Sequence, residues 1–103
     1  MGFIVVLTTT ASEEEAGTLA RSLVEGGLAA CVHVERIRSV YRWKGEVYDE
    51  PEWRLAIKTT SDRYDAVERH IKERHSYELP EVVRLAIDGG SAQYLKWLEG
   101  GRD

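Results

Sequence analysis

The sequence predicts a single-domain α+β fold in which a four-stranded antiparallel sheet carries helices on one face. The chain has 103 residues, of which 43% are hydrophobic, so residues 1–103 suit one compact domain. Strand-like and helix-like segments alternate in the order βαββαβ, followed by a short terminal helix. Only a turn at Gly45 separates the second strand from the third, which predicts a hairpin between them.

The first strand and the first helix have clear local signals. Residues 3–7 are a short apolar run rich in β-branched side chains, as in a strand that is buried on both faces. Ser12 and Glu15 form a capping box, in which each side chain binds the backbone amide of the other residue. The pair Gly26-Gly27 ends the helix. Between these limits, apolar residues recur with helical spacing at Ala16, Leu19, Ala20, Leu23 and Val24.

The predicted hairpin is unusually long. Its first arm covers residues 28–44, and its second arm runs from Glu46 onward with Trp53, Leu55 and Ile57 on one face. Pro51 has no N–H to donate, so it indicates an edge or a bulge in the second arm. Arms of about 15 residues are two to three times the usual strand length. We therefore expect the hairpin to extend beyond the helices.

A second helix and a fourth strand follow the hairpin. Thr60, Ser61 and Asp62 are candidate N-caps for this helix, which is predicted to end before Pro80. Residues 81–87 are predicted to form the fourth strand. The inward face of the second helix is expected to carry Tyr64, Val67, Ile71 and His75.

A short helix that begins after Ser91 ends the predicted elements. Tyr94, Leu95 and Leu98 are expected to point inward from it, with Trp97 nearby. Right-handed crossover connections fold a βαββαβ order into a ferredoxin-like sandwich. The predicted fold is therefore a ferredoxin-like α+β sandwich with a long hairpin between its second and third strands and a C-terminal helix.

Composition excludes several classes of protein. The formal net charge of −4 argues against nucleic acid as a partner. The longest apolar runs, residues 3–7 and 28–32, are far shorter than the roughly 20 residues of a membrane span. No basic segment precedes the first run as in a signal peptide, so we expect a cytoplasmic protein. The lack of asparagine, beside many charged residues, is typical of a heat-adapted, thermostable chain.

No enzyme motif is present in the sequence. Acylphosphatases share the βαββαβ order, but their hydrolysis depends on an asparagine, and this chain has none. The chain also lacks a nucleophile elbow, a Gly-rich phosphate loop and a His-Glu-x-x-His zinc motif. We therefore expect a protein that is not an enzyme.

Aromatic residues on the hairpin predict self-association. Tyr41, Trp43, Tyr48 and Trp53 would be left in water along open strand edges if the chain were a monomer. Burial between copies of the chain would cover both the rings and the edges, so a closed homo-oligomer is expected. RNA-recognition domains share this strand order, but their aromatic motif is missing here.

Several blocks of sequence resemble one family. The blocks lie in order over almost the whole chain: residues 30–32 (Ala-Cys-Val), 39–45 (Ser-Val-Tyr-Arg-Trp-Lys-Gly), Glu52 with Leu55, 58–59 (Lys-Thr), 75–81 (His-Ser-Tyr-Glu-Leu-Pro-Glu), and 94–98 with Tyr, Leu, Trp and Leu. In these blocks the chain resembles the CutA divalent-cation tolerance proteins, which are trimeric relatives of the PII signalling fold. The resemblance implies a homotrimer joined through the long hairpins and a role in tolerance to copper and other divalent cations.

The resemblance also implies a candidate metal ligand. His75 matches a family position proposed to bind copper, whereas Thr8 and Arg74 stand where some members have a cysteine and a histidine. A hydroxyl and a guanidinium are poor copper ligands. No cofactor is required, and weak binding of copper(II) or another divalent cation would use His75 with Tyr77, Glu78, water or a neighbouring subunit. The alternative is a histidine that forms hydrogen bonds at an interface. Ser76, where proline is common, would loosen the loop.

Other histidines and the cysteine have plain structural interpretations. Cys31 and His33 point to the same face of a strand and could share a metal ion, but a lone Cys31 is expected to pack as a small core residue. His70 and His75 are five residues apart, about 140° around a helix, so they do not chelate one ion together.

Two interpretations of the remaining candidate residues stay open. Glu52 and Lys58 form either a surface or interface ion pair or, with Tyr41, Trp43, Trp53, Tyr77 and Glu78, part of an interface or cleft between subunits. The first functional hypothesis is a homotrimeric metal-tolerance protein. The alternative is a PII-like sensor or signalling scaffold that binds a metabolite in the clefts between subunits.

Overall fold

The computed structural model describes residues 2–100, and the predicted order of elements is confirmed there. The ends of the predicted domain, residue 1 and residues 101–103, lie outside this range. The elements are β1 (Phe3–Thr10), α1 (Glu13–Glu25), β2 (Cys31–Trp43), β3 (Glu46–Thr60), α2 (Tyr64–Arg74), β4 (Val83–Ile87) and α3 (Ala92–Gly100).

The four described strands form one antiparallel sheet with the order β2-β3-β1-β4. In β1, Phe3 pairs with Thr60 of β3 on one side and with Ile87 of β4 on the other. This order places β1 and β3 in the centre, as the ferredoxin-like sandwich requires. No helix within residues 2–100 has both the length and the apolar character needed to cross a membrane.

The core lies between the sheet and helices α1 and α2. We call the side of the sheet that carries Ile4, Val6, Leu55 and Ile57 the helix face, and the opposite side, which carries Val5 and Lys58, the open face. The helix face packs against buried side chains of α1 and α2: Ala16, Leu19, Leu23, Val67 and Ile71. The predicted apolar stripe of the first helix thus faces the core, except for its last member, Val24, which is 39% exposed.

The predicted hairpin is confirmed, and its outer part stands apart from the other strands. β2 and β3 pair without interruption from Cys31 with Lys58 to Trp43 with Glu46, whereas β1 pairs only with residues 53–60 of β3. Residues 37–43 and 46–52 therefore form a two-stranded segment, which we call the outer ribbon. Pro51 pairs within this ribbon in an unbroken register, so it marks an edge and not a bulge.

The turn of the hairpin contains only Lys44 and Gly45. Both have positive φ angles, 51° and 84°, as in the type I′ turn that favours glycine at the second position. This turn follows the right-handed twist of the flanking strands, so the long arms stay paired up to their tip.

The first helix has only half of the predicted capping box. The Ser12 hydroxyl accepts a hydrogen bond from the Glu15 amide over 3.0 Å. The Glu15 carboxylate instead accepts bonds from the backbone N–H and the hydroxyl of Ser76, over 3.1 and 3.0 Å. A tertiary contact has thus replaced a local one.

Several predicted boundaries were wrong. Helix α2 begins at Tyr64, after a 3-10 turn over Ser61–Arg63, and no side-chain hydrogen bond caps the helix at Arg63. Strand β2 begins at Cys31 and not at residue 28, because Leu28 and Ala29 donate to the Leu23 carbonyl and complete the end of α1. Strand β4 begins at Val83 and not at residue 81.

The last helix lies on a different side from the first two. Tyr94 of α3 contacts Lys58, which is on the open face, and Leu98 of α3 is fully buried outside the main core cluster. The prediction that all helices lie on one face was therefore wrong for α3. Leu95 is half-buried as expected, whereas Tyr94, which was expected to point inward, is exposed, with its ring centroid 5.6 Å from that of Trp97.

Candidate functional site

A cleft of about 680 Å³ lies on the open face, where the outer ribbon meets the segment between α2 and β4. Strand residues form one wall, and residues 76–81 form the other. We call it the Glu52 cleft, and its lining residues are Thr9, Ser39, Tyr41, Trp43, Glu52, Ser76, Tyr77, Glu78, Leu79, Pro80 and Glu81. The structure thus brings together Tyr41, Trp43, Glu52, Tyr77 and Glu78, five of the predicted interface or cleft residues.

Glu52 is a buried carboxylate in this cleft. Its side chain lines the cleft although the residue is only 6% exposed. The Tyr77 hydroxyl donates a hydrogen bond to Glu52 Oε2 over 2.7 Å. Burial, together with this bond to a carboxylate, raises the pKa of the Tyr77 phenol far above its ordinary value, so Tyr77 stays neutral.

No cation within residues 2–100 forms an ion pair with this buried residue. None of the ion pairs formed among residues 2–100 includes Glu52. A buried charge is costly unless an opposite charge or several hydrogen bonds compensate for it. Among residues 2–100, the hydrogen bond to this carboxylate comes from a neutral phenol, that of Tyr77.

The outer ribbon supplies a second tyrosine and carboxylate pair. Tyr41 stacks on Tyr48, with ring centroids 5.3 Å apart, and its hydroxyl donates a hydrogen bond to Glu50. This bond is the main cause that raises the pKa of Tyr41 to about 12. Both phenols at the cleft therefore stay protonated at neutral pH and act as donors to carboxylates.

The basic side chain of Lys44 contacts two residues that line the cleft, Trp43 and Glu78. Lys44 Nζ lies 3.2 Å from Glu78 Oε2 and 5.5 Å from the centre of the Trp43 ring. An ammonium group thus already lies between an aromatic face and a carboxylate at this point.

His75 lies beneath the cleft and anchors its wall. Its side chain is 1% exposed, and its Nε2 lies 2.6 Å from the Thr9 carbonyl oxygen. A carbonyl only accepts, so Nε2 carries the proton, and Nδ1 accepts the Tyr77 backbone N–H over 3.0 Å. Both ring nitrogens are therefore engaged, in the neutral tautomer.

The three proposed copper positions do not fit a metal site in this arrangement. His75 has no free lone pair, and Thr8 is fully buried on the helix face, where its hydroxyl lacks a partner among residues 2–100. Arg74 is exposed and bonds to the His70 carbonyl. The described part of the chain has no group of three or more His, Cys, Asp or Glu side chains placed to hold a metal ion.

Two of the predicted cleft residues lie elsewhere. Trp53 is on the helix face, where it packs partly buried against the core with the Arg36 guanidinium 5.9 Å from its ring centre. Lys58 lies six positions along β3 from Glu52 and donates to the Tyr94 hydroxyl over 3.3 Å. Glu52 and Lys58 therefore do not pair with each other within residues 2–100, and an ion pair at an interface between copies stays a prediction.

The other histidines and the cysteine are apart from the cleft. Cys31 is half-buried on the open face, so it is not the core residue that was expected, and His33 on the same face is exposed. Ser22 donates its proton to the Leu19 carbonyl and so accepts from His70 Nε2 over 2.8 Å. Burial is the main cause that lowers the pKa of His70 below its ordinary value, with Arg74 adding to it.

Comparisons with known proteins identify the family of the chain. The model of a family described as CutA1 divalent ion tolerance protein matches residues 4–100. A divalent-cation tolerance protein CutA of Thermus thermophilus is 46% identical over 95 residues, which are 91% of this chain and 92% of that protein. A chloroplastic CutA 1 protein of Oryza sativa is 44% identical over 97 residues, which are 93% of this chain but 55% of the rice protein.

The fold has a match among solved structures. The structure of CutA from Synechococcus elongatus superimposes with a TM-score of 0.94 at 38% sequence identity. The match covers 99% of this chain and 91% of the cyanobacterial chain. The ferredoxin-like α+β architecture predicted from the sequence is thereby confirmed.

Proposed function

Since the chain belongs to the CutA family of divalent-cation tolerance proteins, we propose that it works as a homotrimer, held together by its hairpins, that binds a small ligand in the Glu52 cleft. In this proposal the protein takes part in the response to divalent cations as a binding protein and not as an enzyme. The position of the cleft supports it, because one wall belongs to the outer ribbon that would join the subunits.

Exposed apolar side chains support assembly through the hairpins. Val40 and Val47 on the outer ribbon are 63% and 62% exposed, and Leu85 of the edge strand β4 is 55% exposed. Large apolar groups beside open strand edges are typical of surfaces that bind another copy. A trimer is the assembly that the resemblance to the family implies.

Copper(II) binding at His75 stays a prediction, as does a cytoplasmic location. Copper would require the His75 ring to leave either the Thr9 carbonyl or the Tyr77 amide. The buried Glu52 carboxylate makes the cleft a stronger candidate for a binding site than the histidine beneath it.

The experiment measures mass and ligand binding on the same sample. Native mass spectrometry of a micromolar solution is expected to give about 35 kDa, three times the 11.7 kDa of one chain. A screen of metabolites and divalent ions by melting temperature is then expected to find a stabilising compound in the wild type and none in Tyr77→Ala. A monomer mass would contradict the assembly, and an equal shift in Tyr77→Ala would contradict the cleft.

A further inference from the structure

We propose that the Glu52 cleft binds an organic cation, an ammonium or guanidinium group that carries methyl or methylene groups, with Glu52 as its counter-ion. This inference rests on the proposed function of the cleft as a ligand site, and it names the class of ligand. The aromatic side chains of Tyr41, Trp43 and Tyr77 form the walls around the bound group.

The first argument is the missing positive charge beside Glu52. The residue Glu52 is 6% exposed and has no ion-pair partner among residues 2–100. Tyr77 donates one hydrogen bond to it and remains neutral. A cation in the cleft would form with Glu52 the ion pair that residues 2–100 do not provide, at a largely buried position where solvent and salt screen such a pair less than at the surface.

The second argument is the balance of charge around the cleft. Glu52, Glu78 and Glu81 line it, and Glu50 lies just behind Tyr41, whereas Lys44 is the basic residue that contacts this group. Lys44 is itself paired with Glu78. A phosphate or carboxylate ligand would therefore meet carboxylates of the same sign, which disfavours its binding.

The third argument is the nature of the walls. Aromatic faces attract ammonium and guanidinium groups, and they also contact their methyl and methylene groups. The chain's own Lys44 ammonium already lies 5.5 Å from the centre of the Trp43 ring and 3.2 Å from Glu78. A ligand cation deeper in the cleft would have the same two kinds of contact, with Glu52 in the place of Glu78.

Size separates an organic cation from a bare metal ion. The cleft volume of about 680 Å³ is within the range of sites for small organic molecules. A metal ion needs several converging ligands, and the described residues contain no such group. The structure therefore favours an organic ligand that fills the space between the aromatic walls and has one positively charged group in contact with Glu52.

The test uses choline and its uncharged carbon analogue, in which a tert-butyl group replaces the trimethylammonium group. The two probes have nearly the same shape, so a difference in binding reports the charge. Each is titrated up to about 10 mM into the assembled protein, a range that detects millimolar dissociation constants. The readout is the chemical shift of the Trp43 indole N–H and of the Tyr77 amide. ATP is the anionic control.

We expect choline to shift both signals saturably and to bind at least about tenfold more tightly than the uncharged analogue. Glu52→Gln keeps an acceptor for the Tyr77 hydroxyl but removes the charge, and it should weaken choline binding by about tenfold or more. Glu14→Gln, which removes an exposed carboxylate from the first turn of α1, should leave it unchanged. Native mass spectrometry of each variant verifies that the assembly is intact.

Three results would overturn the inference. If choline shifts neither signal in an intact trimer, the inference is wrong but the proposed assembly stands. That result would indicate that a neighbouring subunit supplies the cation for Glu52. Tighter binding of ATP or of the uncharged analogue would retain the cleft as a ligand site but exclude a cation as its ligand. Equal choline binding in Glu52→Gln would remove Glu52 as the counter-ion.

Discussion

His75 Nε2 donates a hydrogen bond to the carbonyl oxygen of Thr9, over 2.6 Å, and so fastens the segment after α2 to the end of β1. The other ring nitrogen, Nδ1, accepts the Tyr77 N–H two residues further along the chain. Tyr77 in turn reaches Glu52 of β3. One buried imidazole therefore fixes the backbone that carries a wall of the Glu52 cleft.

His75→Ala is expected to lower the free energy of unfolding by about 2 to 4 kcal/mol, because it removes a buried side chain and leaves the Thr9 carbonyl and the Tyr77 amide without their partner. Chemical denaturation measures the loss. His33→Ala, at an exposed histidine, is the control and should change stability by less than about 0.5 kcal/mol.

Copper(II) titrations of the wild type and of His75→Ala test the copper prediction. Because both His75 nitrogens are engaged, we expect copper(II) titrations with a competing chelator to give the same stoichiometry in the wild type and in His75→Ala. Loss of one ion per subunit in His75→Ala alone, in an intact assembly, would show that the ring turns outward to bind copper.

Glu15→Ala is expected to free the segment at Ser76. The carboxylate accepts both the backbone N–H and the hydroxyl of Ser76, so its removal should speed hydrogen exchange of the Ser76 amide and cost about 0.5 to 1.5 kcal/mol. Glu14→Ala removes a neighbouring carboxylate from the same helix turn and serves as the matched control. Equal exchange rates in the two variants would mean that this contact does not hold the segment.

Acid should destabilise the protein partly through His70. Burial lowers the pKa of its imidazole in the folded state, so the folded protein favours the neutral ring. The resulting stability is present above the ordinary histidine pKa of about 6.5 and is lost as pH falls through the lowered value. Denaturation of the wild type and of His70→Gln between about pH 7 and pH 5 should show a smaller loss in the variant. The same loss in both would contradict this assignment.

Tyr41 should ionise late in an alkaline titration followed by phenolate absorbance. Its pKa is raised to about 12, mainly by the hydrogen bond to Glu50, so the folded state favours the neutral phenol. The stabilising effect is complete below the ordinary tyrosine pKa of about 10 and is lost as pH rises through about 12.

In Glu50→Gln this late transition should move towards the ordinary tyrosine range, because the charged acceptor is gone. Tyr48→Phe serves as the control, since it should leave the late transition in place. An unchanged titration curve in Glu50→Gln would rule out the contact with Glu50 as the cause.

Local signals predicted the elements well, because each depends on residues close together in the chain. The Ser12 cap, the apolar spacing of α1 and the turn at Gly45 each specify their own segment. The alternation of residues in β3 also predicted the correct face for Trp53, because it places this residue on the same side as the core residues Leu55 and Ile57. The assignment of Trp53 to an interface between copies rested on the size of its ring and stays a prediction.

The composition of the cleft could be predicted only in part. Tyr77 and Glu52 were candidates because they matched a family pattern, but their contact joins residues 25 positions apart. The contact between Glu15 and Ser76 spans 61 positions. The sequence did not predict it, because the capping box already assigned the Glu15 carboxylate to the nearby Ser12 amide. Such contacts depend on the path of the segment after α2, which the tertiary fold determines and no local pattern encodes.

In the proposed trimer, the order of the outer ribbon would depend on protein concentration. A two-stranded ribbon is marginally stable in water by itself, whereas the remainder of the sheet has a third strand and a helical layer behind it. Dilution below the concentration at which copies associate would therefore let residues 37–52 fray while the core stays folded. Since these residues form one wall of the Glu52 cleft, the cleft would lose its shape at the same dilution.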